Sequence, residues 1–154
     1  MRLKKKALMF LVLVAIAIIA VSLAIYVYFF LPKTLSSAET AGKIASLYSR
    51  ASGILQLMSG DMLDVANGTI SVTNFTTRMV TKQNDMTALR TELLDLKDVA
   101  YPTYAMSINL LDMGLQAYIT ALGHAFNLNF DQTIQYIEQG TSYIAQSKNA
   151  LPQV

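Results

Sequence analysis

The sequence predicts an all-α protein with a single N-terminal transmembrane helix followed by an up-down-up-down antiparallel four-helix bundle. Three observations predict this fold. An uncharged stretch of 25 residues lies near the N-terminus, apolar residues recur at three- and four-residue steps through the rest of the chain, and short polar turns separate four such stretches. No alternating strand pattern or β-hairpin signal competes with the helical periodicity.

The uncharged stretch from Ala7 to Leu31 has the length of a transmembrane helix. At about 1.5 Å per residue it reaches roughly 37 Å, and the hydrocarbon core of a bilayer is about 30 Å thick. A cleavable signal peptide is the alternative, but its apolar region is shorter, about 7–15 residues, and ends in small residues. This stretch ends instead in bulky aromatic residues. We therefore expect a retained membrane anchor.

Charge around this stretch predicts its orientation. Four basic residues precede it, and such residues stay on the cytoplasmic side of a span: Arg2, Lys4, Lys5 and Lys6. The aromatic cluster at the other end suits the opposite interface. The chain is therefore divided into a cytoplasmic basic tail over residues 1–6, a transmembrane helix over 7–31 and an extracytoplasmic bundle over 32–154.

One face of the predicted span carries small residues. Ala17, Ala20 and Ala24 share that face, and Ala20 and Ala24 have the small-xxx-small spacing. Such faces let transmembrane helices approach each other closely. We expect this face to contribute to contacts with another helix in the membrane.

Composition excludes several classes of function. From Lys33 onward there are 8 basic and 10 acidic residues, so this part of the chain has a net charge of −2 and is not a basic nucleic-acid-binding surface. The chain has no cysteine, which rules out disulfides and thiolate chemistry. It also has no glycine-rich phosphate loop, nucleophile elbow or paired-histidine motif. We therefore expect no enzymatic activity, no cofactor and no metal.

The first two bundle helices are predicted at Leu35 to Ala66 and Ser71 to Ala100. A capping-box spacing, Ser36-x-x-Glu39, begins the first helix, and Asn67-Gly68 ends it. Each apolar seam has one charged interruption, Asp61 in the first helix and Lys82 in the second. The other predicted seam residues are Ile44, Leu47, Ala51, Ile54, Met58 and Val65, then Val72, Phe75, Met79, Met86, Leu89, Leu93, Leu96 and Ala100.

The third and fourth helices follow the same rhythm. Pro102 suits the first position of the third helix, whose unbroken seam runs Tyr104, Ile108, Leu111, Leu115, Tyr118, Leu122 and Ala125. Asp131 is the expected cap of the fourth, with a seam of Ile134, Ile137, Thr141, Ile144, Lys148 and Leu151. Residues 104–126 could instead form a second span, but a polar stripe from Asn109 to His124 favours a bundle helix because a mid-membrane aspartate is costly.

Three polar residues on these helices are candidates for a polar site. Lys82 lies on a seam, where its stem could pack while its ammonium reaches solvent, or where it could form an anion or carboxylate site inside the bundle. Asp112 and His124 belong to the polar stripe of the third helix. A haem ligand pair of His124 and Met58 is a remote alternative, because methionines usually fill gaps in cores.

Two asparagines match the acceptor pattern for N-glycosylation. They are Asn67, in Asn67-Gly68-Thr69, and Asn74, in Asn74-Phe75-Thr76. Both lie near the loop that joins the first two bundle helices, on the predicted outer side of the membrane. The sequence therefore predicts two possible glycosylation sites at the tip of the bundle.

The third helix is apolar over an unusually wide arc. Outside its main seam it carries Met106, Leu110, Met113 and Ala117, and its only acidic or basic residue apart from His124 is Asp112. Bundle helices normally expose a broad polar face. We expect these four residues to form an interface with another chain. The alternative is that neighbouring helices of the same bundle cover them entirely.

Together these features predict a non-catalytic, membrane-anchored interaction protein, an accessory or structural subunit of a membrane or cell-surface complex. Its expected partners are the lipid bilayer and other membrane subunits or further copies of itself, and no nucleic acid. The layout resembles the extracytoplasmic four-helix domains of chemoreceptors, which implies a ligand-binding or sensory bundle that signals through a partner. A pilin-like filament subunit is a third alternative, given the basic tail and the long apolar N-terminal helix.

Overall fold

The structure, a computed structural model, describes residues 34–152 and three earlier positions, 19, 21 and 22. The chain divides into two units, Met1–Lys33 and Thr34–Val154. Ile19, Val21 and Ser22 are helical, and the rest of the predicted span, with its Ala17, Ala20 and Ala24 face, lies outside the described residues. Within the described ranges no helix combines the length and apolar character needed to cross a bilayer.

Four α-helices make up the second unit. They are α1 (Ser37–Ala66), α2 (Val72–Val99), α3 (Ala105–Phe126) and α4 (Phe130–Asn149), and a short 3-10 helix, Pro102–Tyr104, leads into α3. Residues 34–152 contain no strand. The predicted all-α class with four helices is therefore confirmed. The second-span alternative at residues 104–126 corresponds to Tyr104 and α3, and α3 is one of the helices that lack the apolar character needed to cross a bilayer.

Helix boundaries follow local capping chemistry. The capping box at α1 is confirmed: the Glu39 N–H donates to Ser36 Oγ at 3.3 Å, and the Ser36 N–H donates to the Glu39 carboxylate at 2.9 Å. Gly68 lies in the turn that follows α1 and has a φ of +70°, a conformation that glycine adopts without strain. The cap of α4 is Asn129, whose side chain accepts from the Gln132 N–H at 3.3 Å, so the prediction of Asp131 as cap was wrong.

Successive helices are antiparallel neighbours. Along each pair, contacting residue numbers fall on one helix as they rise on the other, because short turns reverse the chain. The pairs that show this are Asp61–Arg78 and Arg50–Glu92 between α1 and α2, Arg90–Asp112 and Gln83–Ile119 between α2 and α3, and Ser107–Ser147 and Tyr118–Thr141 between α3 and α4.

The predicted seams match the buried core in three helices. Every predicted seam residue of α3 is buried, and the central seam residues of α1 and α2 are buried with them. Val72 is the exception on α2: it is exposed because it is the first residue of the helix. Ile54 and Val65 of α1 are half-buried against the same core.

Half of the predicted α4 seam was wrong, since Ile137, Ile144 and Leu151 pack against the core and the other three residues do not. Ile134, Thr141 and Lys148 are exposed, and the buried residues of this helix are Thr133, Gly140 and Ser147. These three residues follow one another at seven-residue intervals, so they lie on one face. Ile137 and Ile144 flank that face and are half-buried. The buried face of α4 is thus built from small residues with apolar residues at its margin.

The matching face of α3 has the same construction. We call the two faces together the small-residue seam: Ser107, Gly114 and Ala121 on α3, and Ser147, Gly140 and Thr133 on α4, all of them buried. A Cβ atom added to Gly140 would lie 3.0 Å from the Gly114 carbonyl oxygen and would overlap the Tyr118 ring. A Cβ at Gly114 would lie 2.8 Å from Ile144 Cδ1. The two helices therefore approach each other so closely that a Cβ atom at either glycine would force a neighbouring side chain to move.

This close approach predicts opposite effects for two glycine substitutions. Gly140→Ala should lower the free energy of unfolding by about 1–3 kcal/mol because the new methyl group has no space against Tyr118 and α3. Gly53→Ala on α1 should raise it by about 0.5–1 kcal/mol, because a Cβ there meets nothing within 4 Å and alanine favours the helix. Urea unfolding followed by circular dichroism measures both changes, and equal effects of the two substitutions would contradict the close approach.

Candidate functional site

A buried ion cluster joins α1 to α2. The Asp61 carboxylate on α1 accepts from Arg78 Nη1 at 2.7 Å through one oxygen and from the Lys82 ammonium through the other. The side chains of Asp61 and Lys82 are 9% and 13% exposed, whereas that of Arg78 is 48% exposed. Both carboxylate oxygens are therefore engaged by cations, and only Arg78 reaches solvent.

The cluster identifies the partner of Lys82. The ammonium of Lys82 pairs with a carboxylate of its own chain. The partner is Asp61, the only other charged interruption of the first two seams. Because the ammonium is already paired with a carboxylate within the chain, the cluster links two helices and does not present a vacant anion site.

The charge of Asp61 depends on this pairing. Burial acts to raise the pKa of Asp61, but the hydrogen bonds from Lys82 and Arg78, together with their positive charges, outweigh burial and hold the pKa below its ordinary value of 3.8. Asp61 is therefore ionised at neutral pH. Since its pKa is lowered in the folded state, the ion cluster stabilises the fold above pH 3.8 and loses that contribution as the pH falls through the lowered value.

A second polar cluster joins α1, α3 and α4. The Ser147 hydroxyl donates to the Ser107 carbonyl oxygen at 2.5 Å, and the Tyr48 hydroxyl lies 2.5 Å from Ser147 Oγ. Since the single hydroxyl proton of Ser147 is used, Tyr48 donates to Ser147. The Lys148 ammonium lies 5.3 Å from the centre of the Tyr48 ring. Among the described residues, no buried side-chain polar atom lacks a hydrogen-bond partner.

The remaining members of the predicted polar site lie apart from Lys82. Asp112 on α3 accepts from Arg90 Nε at 2.6 Å and from Arg90 Nη2 at 3.4 Å. The His124 ring stacks on Tyr136 of α4, with centroids 5.2 Å apart and an angle of 10° between the planes. Lys82, Asp112 and His124 thus each have a separate partner, and the structure does not bring them together as one site.

The side chains considered as ligands have structural roles. Met58 is fully buried in the core. Asp61 is paired with two cationic side chains of its own chain. Within residues 34–152 and the three earlier described positions, no group of three or more histidine or acidic residues is placed to hold a metal ion.

The two predicted glycosylation sites lie at the turn between α1 and α2. Asn67 is the C-cap of α1, and its backbone N–H donates to the Leu63 carbonyl oxygen at 2.9 Å. Asn74 lies in the first turn of α2, where its N–H donates to the Ser71 side chain. Both asparagine side chains are exposed, so the fold leaves them accessible.

The predicted interface residues of α3 lie at different depths. Met106 and Met113 are 67% and 44% exposed, Leu110 is half-buried and Ala117 is buried. Ala117 lies at the floor of a shallow groove of about 240 Å³ between α3 and α4. Met113 borders this groove on α3, and Tyr136 and Tyr143 border it on α4. The groove brings an exposed methionine next to two tyrosines.

The Tyr48–Ser107–Ser147 cluster was not predicted from the sequence. None of the three residues interrupts an apolar run, and serine is common on solvent-exposed helix faces. A usable signal was the seven-residue spacing of small residues in both α3 and α4. That pattern marks faces on which two helices can approach closely, and a buried serine on such a face needs a hydrogen-bond partner.

The ion cluster can be tested by a double-mutant cycle. Asp61→Asn should lower the free energy of unfolding by about 2–4 kcal/mol because it leaves the Lys82 ammonium nearly buried without a carboxylate. Lys82→Met should cost less, since Arg78 still neutralises Asp61. The double variant should cost less than the sum of the two single changes. Asp98→Asn, at an exposed position without a salt bridge in the described residues, is the control and should change stability by less than about 0.5 kcal/mol.

The lowered pKa of Asp61 also predicts a pH dependence. In wild-type protein the midpoint of urea unfolding should fall as the pH drops below 3.8, because the carboxylate must be protonated and the cluster is lost. Subtracting the same profile of Asp61→Asn isolates this residue from the other acidic groups. The difference should be constant above pH 5 and shrink towards pH 2, and a difference independent of pH would contradict the ion pair.

The chain was compared with protein-family models, with curated proteins and with solved structures. None of the three comparisons found a match. Proposals about this chain therefore rest on its own residues and geometry.

Proposed function

We propose that this chain is a non-catalytic, membrane-anchored interaction protein that serves as an accessory or structural subunit of a membrane or cell-surface complex. In this proposal the stretch from Ala7 to Leu31 spans the bilayer, with residues 1–6 in the cytoplasm. The four helices form an up-down-up-down bundle on the extracytoplasmic side. The bundle then presents side-chain surface, rather than reactive groups, to a partner.

The observation that carries the proposal is a pair of exposed methionines on α3, one of them beside a groove lined by apolar and uncharged polar side chains. Met113 borders the groove between α3 and α4, and Met106, about two turns before it on the same helix, is exposed as well. Methionine and tyrosine are enriched in the buried centres of protein interfaces. Asp112, the one acidic residue of α3, is already paired with Arg90, so this surface has little charge of its own.

The polar clusters support an interaction role over a chemical one. Asp61, Lys82 and Arg78 bind one another, and Ser107, Ser147 and Tyr48 do the same. Each group thus uses its hydrogen-bonding capacity to hold helices together. A bundle braced in this way can present its surface with little loss of conformational entropy on binding.

The partner surface can be tested by purification from native membranes. Met113→Lys should reduce the recovery of co-purifying chains several-fold, because a lysine in the groove must be desolvated on binding. Val80→Lys is the matched control, since Val80 is 40% exposed on α2, outside that groove, against 44% for Met113. Unchanged recovery with Met113→Lys, or equal loss with both variants, would remove the interface from α3.

The orientation has its own test. Protease added outside intact cells should cleave within residues 33–154 and leave an epitope tag placed before Ala7 intact, because the basic N-terminal residues hold that end in the cytoplasm. Cells opened with detergent provide the control in which the tag is lost. Protection of residues 33–154 in intact cells would overturn the proposed orientation.

A further inference from the structure

A long surface groove between α1 and α2 lies away from the α3 groove. Two hollows form it, with volumes of about 320 Å³ and 360 Å³. Lys43 and Glu92 border the first, and Arg50, Gly53 and Asp85 border the second. Leu57 also lines the second hollow, although most of its side chain is exposed to solvent. The groove therefore combines apolar surface with charges of both signs.

The charges are separated by helix. The α1 side of the two hollows carries Lys43 and Arg50, both basic, whereas the α2 side carries the acidic residues Asp85, Glu92 and Asp95. Only one ion pair crosses the groove, between Arg50 and Glu92 at 2.6 Å, and both side chains are about half exposed. Lys43, Asp85 and Asp95 make no salt bridge with any described residue.

We propose that this face binds the same face of a second copy of the chain, in a parallel dimer with two-fold symmetry. A two-fold axis parallel to the helices places α1 of each copy opposite α2 of the other at the same height. Basic residues then face acidic residues on both sides of the axis, as an isologous interface requires. An axis perpendicular to the helices would place α1 opposite α1, so that basic residues would face basic residues.

Three glycines on the outer side of α1 support a close approach. Gly42, Gly53 and Gly60 are separated by eleven and seven residues, about three and two helical turns, so they lie on one face. A Cβ atom at any of them would meet nothing within 4 Å. Glycine lowers helix stability relative to alanine, and nothing within the described fold requires it at these positions. A second helix packed closely against this face would require residues without a side chain at these positions.

The same geometry places the apolar residues of the groove in contact. Leu57 and Ala88 line one hollow at a similar height, on α1 and α2 respectively. In the parallel dimer the Leu57 side chain of each copy packs near Ala88 of the other, so an exposed leucine is covered. Both copies of α1 also begin at the same end, which suits two chains anchored in one membrane. The dimer itself does not depend on the proposed anchor or on the α3 interface.

Charge exchange between two tagged copies tests the pairing. Full-length chains carrying different affinity tags are co-expressed and extracted in mild detergent, and recovery of the second tag with the first is measured. Wild type should recover wild type. Lys43→Glu with itself, and Asp95→Lys with itself, should each show roughly tenfold lower recovery, because two attractive contacts become repulsive.

The mixed pair gives the decisive result. When one copy carries Lys43→Glu and the other Asp95→Lys, the substituted residues face each other with opposite charge, and recovery should return to near the wild-type level. Lys97→Glu, an exposed change on α2 outside both hollows, should have no effect. Failure of wild type to recover itself, or a mixed pair no better than either like pair, would overturn the dimer. If Lys43→Glu recovers wild type better than wild type recovers itself, then α1 of one copy faces α1 of the other. That result would also overturn the proposed dimer.

A glycine variant separates association from folding. Gly53→Leu should leave the helical circular dichroism spectrum unchanged, because leucine favours helix and a Cβ atom at Gly53 would meet nothing within 4 Å. It should nevertheless lower self-recovery several-fold by blocking the approach of the second copy. Full self-recovery by a folded Gly53→Leu protein would show that this face is not the interface. If Gly53→Leu leaves the recovery of other membrane chains unchanged, the dimer contact and the α3 interface are two independent surfaces.

Discussion

The close approach of α3 and α4 sets the geometry of the whole bundle. Along the small-residue seam, side chains no larger than threonine separate the two helices, and at Gly114 and Gly140 the backbones themselves are in contact. Because the helices are this close, the Ser107 and Ser147 hydroxyls lie 3.1 Å apart and Tyr118 reaches Thr141 at 3.2 Å. Burial raises the pKa of Tyr118, and the hydrogen bond to Thr141 offsets this only in part, so the phenol stays neutral there.

The contacts of α1 with α4 and with α2 are made by longer polar side chains. Tyr48 connects α1 to Ser147 through the full length of a tyrosine, and a hollow of about 210 Å³ remains between these helices. On its other side, α1 is fixed to α2 by Asp61, whose short side chain needs the long stems of Lys82 and Arg78. Such pairs specify which helices are neighbours, even where an apolar contact would contribute as much stability.

Sequence pattern predicted the fold where burial and apolarity coincide. The α3 seam was predicted in full because its buried residues are large and apolar. In α4 they diverge: a face of Thr133, Gly140 and Ser147 is buried because it is small, while Ile134 is exposed. Periodicity of apolar residues does not register such a face. The ion cluster was half predictable, since Asp61 and Lys82 stood out as seam interruptions, but pairing them required the register of the first hairpin.

Five of the seven glycines in this chain divide into two groups according to what surrounds them. Gly114 and Gly140 lie inside the bundle, where a methyl group would collide with α3 or α4, so packing within one molecule accounts for their presence. Gly42, Gly53 and Gly60 reduce helix stability in the same way, yet no neighbour in the described fold uses the space that they leave. The physical reason found for the first group is the contact of two helix backbones. Close contact between helices would account for the second group in the same way, with the second helix contributed by another molecule.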